Sequence, residues 1–105
     1  MEHDNMEHVK HLIGIYEDAQ EELMGAQGYA NKAYHAQEGE IKAMYMTMAR
    51  QELEHETKLL EEGERLIKRM PADAHREVLE FVWMHLKNNL HRWRHGIESK
   101  LQPNA

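Results

Sequence analysis

Residues 40–62, EIKAMYMTMARQELEHETKLLEE, restrict the fold most, because they read as an apolar helical face broken in its middle by a carboxylate and an imidazole. At about 100° per residue, Ile41, Tyr45, Met48, Glu52, His55, Leu59 and Leu66 fall on one narrow stripe. Glu52 and His55 therefore stand where a helix expects apolar contact. Such an ionisable pair costs several kcal/mol by desolvation unless another charge compensates it, and a bound cation does so. Glu-x-x-His at i, i+3 also sends both side chains to one side, as di-iron and di-manganese carboxylate sites require. The competing reading is an exposed polar pair on an ordinary helix, common in a chain with 19 acidic residues and 9 histidines.

The rest of the chain is read for partners to that pair. Asp4 or Asn5, with Glu7 in a capping-box position, predicts a first helix over about 5–36. Leu12, Ile15, Tyr16, Ala19, Leu23, Ala26, Tyr29, Ala30 and Ala33 form its inner face, small enough for close approach of a neighbour. Glu22 lies at the edge of that face, whereas Glu21 points about 100° away toward solvent. Ala36 to Gly39 is the weakest helical stretch, with Gly39 suited to a C-cap or turn, so it predicts a hairpin tip. Glu22 precedes that tip by about fifteen residues and Glu52 follows it by about fifteen, which puts both at one height in an antiparallel hairpin. His55 is one turn lower.

A second helix is expected over about 40–70, ending at Pro71, and a third over about 73–99. The third carries an apolar stripe of Leu79, Val82, Trp83, Leu86, Leu90, Trp93, Ile97 and Leu101, with His91, Arg94 and His95 on its polar side. Residues 102–105 are expected to fray. No strand-like alternation occurs, so the expected class is all-α: a two-helix hairpin plus a C-terminal helix in one domain spanning residues 1–105.

Composition narrows the chemistry. With 105 residues, burial within one copy is limited and association would help. The absence of cysteine excludes disulfides, thiolate zinc sites and iron–sulfur clusters, leaving carboxylates and imidazoles, which suit iron, manganese or zinc. A net charge of −6 argues against nucleic acid. No apolar run approaches the roughly 18 residues of a membrane span. With a polar N-terminus, the expected location is the cytoplasm or a compartment within it.

A complete di-metal carboxylate site in a four-helix bundle uses two single Glu residues and two Glu-x-x-His pairs, and this chain holds one of each. A two-fold homodimer, each copy lending Glu22, Glu52 and His55, completes the set with two metals per dimer. The residues around these ligands, Glu21-Glu22-Leu23, Tyr29, Glu40-Ile41 and Arg50-Gln51-Glu52-Leu53-Glu54-His55, resemble the encapsulated ferritins, half-ferritins of the ferritin-like superfamily. The resemblance implies ferroxidase activity, iron ligands at Glu22, Glu52 and His55, a supporting role for Tyr29 beside the ligands, Glu21 as a metal-entry residue, and rings of dimers inside an encapsulin shell. Met24 and Gly28 stand where that family carries an acidic and an aromatic residue, and the closing LQPNA is unlike a shell-docking tail.

Other features have plainer readings. Met44, Met46 and Met48 are expected in core packing rather than soft-metal binding. His91 with His95, and His3, His8 and His11, could each recruit a surface metal but read as solvated edges. Trp83 and Trp93 are expected as packing anchors of the third helix, and Glu62 as a solvated charge or a transit carboxylate.

Overall fold

The computed structural model describes residues 2–102, with side chains from residue 6 onward. It is all-helical: α1 runs over Glu2–His35, α2 over Gly39–Lys68 and α3 over Ala74–Lys100. Asp4 and Asn5, expected to cap the first helix, lie within α1, and their side chains, like that of His3, fall outside the described residues. Gly39 is the first residue of α2 rather than a left-handed cap; none of the described glycines has positive φ. Glu38 supplies the extended turn instead, and its carbonyl accepts from Lys42 N at 2.9 Å.

Pro71 ends the second helix as expected, although regular α-helix stops at Lys68. Arg69 and Met70 then close with tightened bonds to Arg65, Leu66 and Ile67 carbonyls. Asp73 caps α3, its side chain accepting from Arg76 N at 3.1 Å, with Glu77 in the first turn favoured by the helix dipole.

α1 and α2 pair antiparallel along their lengths. Leu12, Ile15, Ala19, Leu23, Ala26, Ala30 and Ala33 are buried on α1, as its periodicity predicts. On α2 the buried stripe is Ala49, Leu53, Glu56, Leu60, Gly63 and Ile67. This corrects the expected face by one residue, or about 100° of rotation. Of the expected stripe, Leu66 is buried, Tyr45, Met48, Glu52 and Leu59 are half-buried, and Ile41 and His55 are exposed. The physical reason is close packing. The alanine face of α1 draws in the face of α2 whose small residues, Ala49 and Gly63, let the backbones approach, and the bulkier stripe is left along the edge.

α3 lies antiparallel to α2 and parallel to α1. Trp83 packs on Gly63, Arg94 reaches Glu56, and Arg50 donates to the Leu101 carbonyl at 3.1 Å. Toward α1, Trp93 Nε1 donates to Gln27 at 2.7 Å and Lys100 to Asn31 at 3.0 Å. Trp83, Leu90, Ile97 and Leu101 are buried, but Val82, expected on the inner stripe, is exposed. Arg94, expected on the polar side, turns inward. The molecule is a rod of 57 × 18 × 15 Å, and no described helix is long and apolar enough to cross a membrane.

Candidate metal centre

α3 covers one flank of the hairpin, through Arg50, Leu53, Thr57 and Glu64 on α2 and Gln27 and Asn31 on α1. The opposite flank stays open, and on helical angles it carries Glu22 and Tyr29 from α1 and Tyr45, Met48, Glu52, His55 and Leu59 from α2. Antiparallel register brings Glu22, Glu52 and His55 together there: one ligand atom from each lies within 4.8 Å of the others. Among the described residues this is the one such group of three or more acidic or imidazole side chains.

His55 Nδ1 is 3.4 Å from Glu22 Oε2 and 3.8 Å from Glu52 Oε1. The side chains are 27%, 28% and 54% exposed for Glu22, Glu52 and His55, so the cluster is half-sheltered with the imidazole at its mouth. Burial raises the Glu52 pKa, and the neighbouring Glu22 carboxylate adds to the rise while His55 opposes it. Glu22 Oε2 is itself buried without a hydrogen-bond partner, since the 3.4 Å contact with His55 is not aligned as one. Gly25 offers no side chain beside Glu52: a Cβ there would stand 2.6 Å from Glu52 Oε2.

These features fit a divalent cation. A Glu52 carboxylate whose proton affinity is raised by burial and by the carboxylate beside it, an unpartnered buried oxygen on Glu22 and an imidazole facing both are a donor set for hard or borderline metals.

Around the cluster the outcome is mixed. Glu21 is exposed, as expected. Tyr29 makes no hydrogen bond to Glu22 or Glu52 among the described residues; its ring stacks on Tyr45 at 6.2 Å, with Lys32 Nζ within 6 Å of both ring centroids. Met46, not Met44, packs against the core, and Met44 is exposed. His91, His95 and His11 are exposed and join no metal-like group among the described residues. Glu62 accepts from Arg65 at 2.8 Å, which lowers its pKa and ties it to that guanidinium.

Sequence reasoning missed Glu56. It is 0% exposed, and Arg94 Nη1 donates to its Oε1 at 2.6 Å, to the Leu53 carbonyl at 2.9 Å and to Thr57 Oγ1 at 2.6 Å. A signal was present: Arg94 stands at i+4 from Leu90 and i−3 from Ile97, on the apolar stripe of α3, so an inward guanidinium required an inward carboxylate.

Comparison with protein-family models, with curated proteins and with solved structures finds no match to this chain.

Proposed function

We propose that the protein is a ferritin-like iron oxidase whose di-metal centre forms between two copies of the chain, as the resemblance to encapsulated ferritins implies. The observation that carries this reading is the convergence of Glu22, Glu52 and His55 on the flank that α3 leaves open. One chain offers two carboxylates and one imidazole, half of a bundle-type di-metal set. An isologous dimer closing over the open flank doubles it. Its four carboxylates then balance the charge of two divalent ions.

In this reading Fe(II) is the substrate. Two ions held side by side each give up one electron, and dioxygen takes both with two protons and leaves as hydrogen peroxide. The chain's own residues bind and orient: Glu22 and Glu52 supply oxygens whose mutual repulsion the cations relieve, and His55 supplies a nitrogen lone pair at the mouth. A second reading, a dimer that metal merely cements, draws on the apolar side chains of Ile41 and Met44, which are exposed on and beside the same flank.

Anaerobic Fe(II) titration followed by mass measurement and then oxygen addition separates the two. The oxidase reading expects one metal per chain, bound only as dimers, followed by rapid Fe(III) formation. Glu52→Ala and His55→Ala should lose both. Unchanged oxidation in those variants removes the proposal, and metal-bound dimers that oxidise iron at the buffer rate favour the second reading.

A further inference from the structure

Among the described glycines, Gly25 is singular in what it faces. It sits in the interior of α1, caps nothing and has no positive φ, so the backbone gives no reason for a residue that weakens a helix relative to alanine. Gly14 and Gly28, in the same helix, have nothing within 4 Å of a built Cβ, whereas Gly63 makes room for the Trp83 ring. A Cβ on Gly25 would meet Glu52 Oε2 at 2.6 Å, Cδ at 3.4 Å and Cγ at 3.6 Å. The carboxylate end of Glu52 is therefore seated in the notch that the missing side chain leaves. Gly25 is three residues after Glu22, so notch and ligand share one patch of helix surface.

We infer that Gly25 is a positioning residue of the metal centre, its bare backbone setting where the Glu52 carboxylate stands relative to Glu22 and His55. The inference rests on the reading that these three side chains bind metal. A methyl group at 25 would have to push Oε2 outward by roughly 0.8 Å to reach the 3.4 Å of ordinary contact. Metal–ligand distances tolerate about 0.2 Å. The displaced atom is the end of a flexible side chain, so the fold yields easily while the ligand geometry does not.

The test compares wild type, Gly25→Ala and Gly28→Ala, each freed of metal and titrated calorimetrically with Zn(II), a redox-inert probe, with melting temperature measured separately. Both variants should melt higher, by about 4–8 °C if each gains the usual glycine-to-alanine helix stabilisation. Only Gly25→Ala should lose Zn(II) affinity, by about 10- to 100-fold, the cost typical of disturbing a ligand's support. Equal affinity in the two variants overturns the inference and leaves the metal reading intact. A wild type that binds no Zn(II), or a Glu52→Ala variant that binds it as tightly, overturns both. If Gly25→Ala melts lower, adding Glu52→Ala should restore stability; failure to restore it places the clash elsewhere and also overturns the inference.

Discussion

Among the described residues Glu56 is the one buried charged side chain, a carboxylate whose second oxygen has no partner and whose first is held by Arg94, a guanidinium 22% exposed. Breaking a buried pair from one side costs about 3–5 kcal/mol because a charge is left behind, and water near Arg94 puts this case toward the lower end. Arg94→Met should lower unfolding stability in urea by about 3 kcal/mol, and the double change Glu56→Leu with Arg94→Met should recover most of it. Equal losses in the two proteins would show that the pair's charge is not the issue. Glu52 makes the opposite case. Its raised pKa means the folded, metal-free chain binds that proton more tightly than the unfolded chain, so the stabilisation is present below the ordinary carboxylate pKa and lost as pH rises through the raised value. Metal-free Glu52→Gln should therefore melt higher than wild type near pH 7 and about equally near pH 4, as melting at both pH values would reveal. A gain of the same size at both would contradict the raised proton affinity of Glu52. The convergence of Glu22, Glu52 and His55 was legible in the sequence because hairpin arithmetic selects equal heights. Glu56 was not, because a lone glutamate on a glutamate-rich helix reads as solvated until Arg94 is recognised on an apolar stripe.

At the scale of the helices, both breaks and the antiparallel order could be read from Gly39, Pro71 and Asp73, but the rotation of α2 could not. Periodicity weighs bulk and hydropathy, which favoured the face of Tyr45, Met48 and Leu59. Packing against an alanine surface weighs closeness, which favours Ala49 and Gly63 and hides Glu56 between them. Gly63 also fixes α3, because the Trp83 ring occupies the space a Cβ would need. Here the obstructing group is a rigid ring, so Gly63→Ala should destabilise the protein by about 1–3 kcal/mol despite its better helix propensity. Tryptophan emission should shift to the red as Trp83 leaves its site. An alanine variant that is more stable than wild type, with unchanged emission, would contradict that packing. Gly25 and Gly63 thus face different obstacles, a yielding carboxylate and an unyielding indole, and the same substitution is expected to have opposite effects on stability.

For the whole molecule, a rod 18 × 15 Å in cross-section leaves each helix with much of its surface in water, so a small chain of this shape gains from closing over its open flank. That flank holds the carboxylate cluster and a half-buried Met48 one turn from Glu52, a side chain that is not packed into the core. In a two-fold dimer built on this flank, residues one turn from the shared metals lie close to the axis and meet their own copies. Met48→Lys should be tolerated by the single chain to within about 0.5 kcal/mol, since it replaces a partly exposed side chain with another long one. In the dimer it sets two ammonium groups near each other, a like-charge contact costing at least about 2 kcal/mol, or roughly 30-fold in dimer affinity. Met48→Gln, uncharged and of similar length, should weaken the dimer less. Sedimentation with and without Zn(II), alongside circular dichroism of the metal-free chains, reads both effects. Metal-dependent dimers of Met48→Lys as tight as those of wild type would mean that the copies meet on another face, and the carboxylate cluster would then have to bind its metal within one chain.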